Sequence, residues 1–220
     1  MSDVIHSIRE SYDRVADEYR RHIFEELQSK PLDRELLSRF AAEAGSGQVC
    51  DMGCGPGQVA RYLRDAGVTV FGLDLSTGML EQARKLNPDI HFVEGNMLAL
   101  ELADRTLAGI VAFYAIVNLP PESLPQVFRE MERVLQPGGR LLLAFHIGNE
   151  VIRVEELWDE PVSLNFFFLD PFVIQRQMES AGLRIEEVLE RGPYAPEVEY
   201  QSRRAYIFAC KPDPASSSYS

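Results

Sequence analysis

A chain of 220 residues, 45% hydrophobic and 25% charged, has the make-up of one globular domain with a sizeable core. Its net charge of −12 argues against nucleic acid, which is bound through Lys and Arg, and against docking on anionic membranes. No apolar run reaches the ~20 residues of a membrane span and the N-terminus is not signal-like, while Cys50, Cys54 and Cys210 form no C-x-x-C pair. These features speak against a disulfide scaffold or a metal site and point to a reducing cytoplasm.

Ile5, Ile8, Tyr12, Val15, Tyr19 and Ile23 recur at helical spacing and predict an amphipathic N-terminal helix. Pro31 opens a second helix that ends near Gly45 and Gly47, so residues 1–45 form a helical cap. A strand then runs into Asp51-Met52-Gly53-Cys54-Gly55-Pro56-Gly57, followed by a helix over 58–66 and a second strand, Val68 to Leu73, ending on Asp74. Ser76 or Thr77 caps a helix to about Leu86; Ile90 to Val93 and Leu107 to Tyr114 are the third and fourth strands. A helix over 122–135, a turn at Pro137-Gly138-Gly139 and a fifth strand to Phe145 follow. Residues 150–169 break the alternation. Asp170-Pro171 starts a last helix, Leu183 to Leu189 and Ala205 to Ala209 are closing strands, and 212–220 is a polar tail expected to fray.

Strand, glycine-rich turn, helix, strand and terminal carboxylate is the layout of a nucleoside-cofactor site in an open α/β sheet. Glycines allow close backbone approach to a ligand, and Asp74 can accept both hydroxyl protons of a ribose. The turn lacks the G-x-G-x-x-G spacing of a pyrophosphate site, and Asp51 beside it suits a ligand carrying an ammonium group. A tight turn without ligand, or a nicotinamide site, is the competing reading.

The segment resembles motif I of the class I S-adenosylmethionine-dependent methyltransferases. Tyr12-Asp13-x-x-Ala16-x-x-Tyr19, Glu94-Gly95-Asn96-Met97, the run Phe113 to Leu119 and Arg133 to Arg140 are similar to further family elements, in family order. The resemblance implies a Rossmann-like, mostly parallel seven-stranded sheet of order 3-2-1-4-5-7-6, with helices on both faces, in a single domain over 1–211. It implies S-adenosylmethionine as cofactor and S-adenosylhomocysteine as product. Cofactor contacts are expected from Tyr19, Asp51, Gly53, Gly55, Gly57, Asp74, Leu75, Met79, Asn96, Met97 and Phe113. Asn96 stands where the family usually has Asp, and Asn118 stands where related sequences often place His.

Methyl transfer is an in-line displacement, so the enzyme mainly positions the reactants and excludes water. Candidate bases are His146, Tyr12, Tyr19 and Glu150; for His146 a hydrogen-bonded structural role is the favoured alternative. Residues 150–169 follow a strand's C-terminal end and are expected to form an acceptor lid, with Trp158, Asn118 and His146 as substrate-binding residues. Plain domain packing by Trp158 and Phe166 to Phe168 is the alternative. The expected acceptor is a small organic molecule attacked at O, N or C, the partners exclude nucleic acid and membrane, and the enzyme is a monomer or homodimer. Two rivals remain: an enzyme that binds the cofactor but catalyses another reaction such as cyclisation, and a non-catalytic cofactor-binding protein.

Overall fold

The computed structural model describes residues 2–213. Helix α1 (Ser2–Ile23) and helix α2 (Pro31–Glu43) precede the sheet, with Pro31 in the first helical turn, where its missing N–H costs nothing. The parallel half is built from β1 (Val49–Met52), α3 (Gln58–Asp65), β2 (Val70–Asp74), α4 (Thr77–Leu86) and β3 (His91–Glu94). Next come β4 (Leu107–Phe113), α5 (Leu124–Val134) and β5 (Leu135–His146). A hairpin of β6 (Val151–Leu157) and β7 (Glu160–Phe167) precedes α6 (Pro171–Ser180), β8 (Arg184–Arg191) and β9 (Arg204–Cys210).

The main sheet runs β3-β2-β1-β4-β5-β9-β8, with β9 antiparallel to β5 and β8. With the hairpin strands left out of the count, this is the order 3-2-1-4-5-7-6. Both faces are covered, and the strands show it by their apolarity. Along β4, Ile110 packs with the α1, α5 and α6 side, while Val111 packs with the α2, α3 and α4 side. Leu141 and Leu143 of β5 face the first layer, Leu142 and Ala144 the second. Period-two alternation thus feeds two cores from one strand.

The hairpin is an element that the sequence reading left without secondary structure. Its strands alternate, with Arg153 and Glu155 outward and Val154 and Leu164 inward, and they lie against α1. Ser11 Oγ accepts from the Ser163 amide at 3.0 Å, Ser7 Oγ donates to the Ser163 carbonyl at 3.1 Å and Arg14 to the Pro161 carbonyl at 2.7 Å. The two turn residues, Trp158 and Asp159, have φ of +50° and +65°. Such hairpin turns favour Asn-Gly, so the usual sequence signal for the turn is missing. From residue 214 onward the Ser-rich tail lies outside the described residues.

Candidate active site

The carboxyl ends of β1, β2, β3 and β4 open into one cleft, roofed by α1 and enclosing about 760 Å³ of empty space including its mouth. Its floor is the glycine turn. Gly53 has φ +72°, and a Cβ there would stand 2.5 Å from the Ala115 Cβ, so only glycine fits between β1 and the loop after β4. Gly55, with φ +51°, lies under the Tyr19 ring, which is 3.8 Å from where a Cβ would be.

Asp74 ends β2 at the centre of the cleft. Its Oδ2 accepts from the Gly55 amide at 2.8 Å and its Oδ1 from the Ser76 amide at 2.8 Å. A carboxylate has about four acceptor sites, so capacity for a pair of hydroxyls remains. Desolvation raises its pKa above the ordinary carboxylate range, against the backbone hydrogen bonds that lower it. Asn96, at the end of β3, uses Oδ1 to accept from the Leu98 amide at 2.9 Å and still lines the cleft beside Met97. Leu75, Met79 and Phe113 complete this side.

Helix α1 supplies the roof through side chains three, four or seven residues apart. Tyr12 donates to Asn118 Oδ1 at 2.7 Å, and Asn118 Nδ2 donates to the Asn165 carbonyl of β7 at 2.9 Å. Tyr12 and Tyr19 meet edge to face, with ring centroids 5.9 Å apart. Between them, Asp13 Oδ1 accepts from the Ser76 hydroxyl at 2.6 Å and the Gly78 amide at 2.8 Å. A Cβ on Gly78 would stand 2.9 Å from the Asp13 carbonyl and 3.2 Å from the Ala16 Cβ. The spacing Tyr12, Asp13, Ala16, Tyr19 therefore docks one helix on three loops. Burial pushes the hydroxyls of Tyr12, Tyr19 and Tyr114 upward in pKa, so all three hold their protons at neutral pH.

Five residues expected from sequence at the site do not line the cleft. Asp51 is 2% exposed and turns to the start of α3, where its Oδ2 accepts from the Ala60 amide at 2.9 Å; desolvation pushes its pKa up to about 8. Gly57, with φ +88°, is the N-cap of α3 and packs against Asn87 and Phe92. His146 lies behind Tyr114, with ring centroids 5.0 Å apart, and its Nδ1 is 2.7 Å from Ser202 Oγ. Burial, then the charges of Arg204 and Lys30, lower its pKa to about 4, so the imidazole is neutral. Trp158 stacks on His22 and meets Tyr19 edge-on, one ring removed from the cleft. The Glu150 carboxylate folds back onto the Asn149 amide at 2.9 Å and also stands outside the lining.

Among the lining residues that the sequence reading did not place here are Ile5, Ile8, Arg9 and Tyr114. Ile5 and Ile8 belong to the same helical stripe as Tyr12, which was legible, but its first turns line a cleft as well as packing on the core. Arg9 is the one cation among the described lining residues, and it is held by Glu94 at 2.9 Å. Nothing in the sequence marked it.

Fold and cleft together define an α/β enzyme with a nucleoside-cofactor site at the switch point of its sheet. A methyltransferase-domain family profile matches residues 49–139. A malonyl-[acyl-carrier protein] O-methyltransferase of Enterobacter lignolyticus is 31% identical over 189 residues, covering 84% of this chain and 71% of that protein. A demethylmenaquinone methyltransferase of Beutenbergia cavernae is 32% identical over 143 residues, covering 63% of this chain and 58% of that protein. The chain thus belongs to the S-adenosylmethionine-dependent methyltransferases of class I; its activity is methyl transfer, and S-adenosylmethionine is its cofactor.

Solved structures agree on the fold. The [4+2]-cyclase SpnF has a TM-score of 0.75 at 16% identity, covering 95% of this chain and 97% of that one. The glycopeptide N-methyltransferase MtfA, complexed with S-adenosylmethionine, has a TM-score of 0.64 at 19% identity, covering 81% and 94%. At such identities the likeness speaks for the fold alone. The residues of the cleft fit the cofactor: Asp74 retains acceptor capacity for a ribose, and a Cβ at Gly53 would need space that Ala115 already fills.

Proposed function

We propose that this enzyme methylates a small organic acceptor that arrives already nucleophilic at O, N or C, without a general base from the protein. The observation that carries this reading is the chemistry of the cleft wall. Among the described lining residues, those that titrate are Arg9, Tyr12, Tyr19, Asp74 and Tyr114. Arg9 is no base, the three tyrosines hold their protons, and the acceptor sites of Asp74 left by its two backbone amides are taken in this reading by the cofactor's ribose. A carboxylate or a comparably acidic hydroxyl needs no proton removed at neutral pH. The malonyl group in the name of the relative from Enterobacter lignolyticus presents such a carboxylate.

S-adenosylmethionine supplies an electrophilic methyl group on a sulfonium. In this reading Asp74, Gly53, Gly55, Asn96, Met97, Leu75, Met79 and Phe113 hold the cofactor. Ile5, Ile8 and Leu119 offer the acceptor an apolar wall, and Tyr12 with Asn118 limits its approach while excluding water. Helix α1 and the hairpin within 150–169 cover the acceptor end of a single domain over 1–211. The net charge of −12 supports a small molecule over nucleic acid. Three buried, unpaired thiols suit a reducing cytoplasm.

The test is the pH profile of kcat/KM with a series of acceptors of graded acidity. The acid limb is expected to move with each acceptor's own pKa. A limb fixed at one pH for every acceptor would place the base on the protein and overturn the proposal. S-adenosylhomocysteine formed one-to-one with product separates methyl transfer from a rearrangement.

A further inference from the structure

We infer that Trp158 is a positioning residue for the cofactor: from the tip of the hairpin it holds the Tyr19 ring over the glycine turn. The β6–β7 turn consists of two residues, Trp158 and Asp159, between the paired Leu157 and Glu160. Both adopt left-handed backbone conformations, at φ +50° and +65°. Asn-Gly would do so without strain, whereas a bulky aromatic residue there is an outlier that its surroundings must enforce.

The surroundings are on α1. The indole lies parallel to the His22 imidazole, with centroids 4.8 Å apart and planes inclined by 7°. Its edge contact with Tyr19 spans 5.8 Å at 83°. Tyr19 is thereby clamped between two rings, Tyr12 on one side and Trp158 on the other. Among the described residues no hydrogen bond anchors its hydroxyl, so these rings set its position. Beneath it is Gly55, whose amide donates to Asp74. A strained turn therefore acts, through one tyrosine, on the part of the cleft that meets the cofactor.

Removing the indole need not undock the hairpin. Its strands are held to α1 by Ser7, Ser11 and Arg14, and to the loop after β4 by the Phe167 amide donating to the Val117 carbonyl at 2.7 Å. The role of the ring is thus separable from the stability of the turn.

The experiment compares the full chain with three variants: Trp158→Ala, Trp158→Phe, and Trp158→Asn combined with Asp159→Gly. Dissociation constants for S-adenosylhomocysteine are measured by calorimetry and Tm by scanning fluorimetry. Binding is expected to weaken about 5- to 10-fold in Trp158→Ala and in the Asn-Gly variant, the scale of losing an aromatic pair, and to stay within about twofold in Trp158→Phe. The Asn-Gly variant is expected to match or exceed the Tm of the parent because its turn is unstrained. Affinity within twofold of the parent in the Asn-Gly variant would show that the indole is dispensable, overturning the proposal. Failure of the parent itself to bind S-adenosylhomocysteine would instead overturn the cofactor assignment on which the proposal rests.

Discussion

Among the described residues one backbone amide engages the Asp51 carboxyl, and burial together with the nearby Asp74 carboxylate disfavours its ionised form. Its folded-state pKa of about 8 stands above the ordinary 3.8. A carboxyl raised by folding contributes its full stability below its unfolded pKa and loses it as pH climbs through the folded one. From about pH 4 to pH 8, therefore, Asp51 increasingly opposes the fold. Asp51→Asn keeps an oxygen for the Ala60 amide and removes the titration. We predict that the Tm of the natural protein falls relative to Asp51→Asn as pH rises from 5 to 9. Parallel Tm curves across that span would mean that folding does not raise the Asp51 pKa. The carboxyl that the sequence offered to a ligand's ammonium group thus faces α3, where burial disfavours its charged form.

At the scale of elements, α1 joins the cofactor loops by side chains that each meet a different partner. Asp13 is the central one, because it caps α4 in trans by accepting from Ser76 and Gly78. Losing such a cap costs about 1–2 kcal/mol, roughly 2–8 °C in a chain of this size. Asp13→Ala is predicted to lower Tm by that amount and to weaken S-adenosylhomocysteine binding, since the roof of the cleft loosens. Asp13→Asn, which keeps the acceptor oxygen, should lose less. Equal Tm and affinity in Asp13→Ala and the parent would remove Asp13 from this role. The sheet and its helices were legible because apolar period, glycine and proline punctuation and capping residues all agree along β1 to β5. The hairpin was not, because Trp158-Asp159 carries no turn signal and because its apolar face serves α1, which lies far off in sequence. Site residues at strand ends were legible only in part. Successive residues of a strand point to opposite faces, so closeness to a strand end places Asp74 and Asn96 in the cleft but leaves Asp51 and His146 behind it. Trp158 was found as an aromatic residue of the insert, yet its contact with the cleft passes through Tyr19.

For the whole molecule, helix α1 is also the cover of its cleft, touching the loops after β1, β2 and β4 and the hairpin behind them. Arg9 and Glu94 add a bridge to the end of β3. In the proposed reading a cofactor seated on Gly53, Gly55 and Asp74 lies beneath Tyr12 and Tyr19, and we predict that it loads while α1 is lifted. The wall that Tyr12 and Asn118 would present to an acceptor requires the helix in place. We therefore predict an order of events: S-adenosylmethionine first, acceptor second, methylated product away first, S-adenosylhomocysteine last. Product-inhibition kinetics are expected to show S-adenosylhomocysteine competing with S-adenosylmethionine but not with the acceptor, and equilibrium binding of acceptor to the cofactor-free enzyme should be negligible. Tight acceptor binding without cofactor would mean that the helix does not set the order.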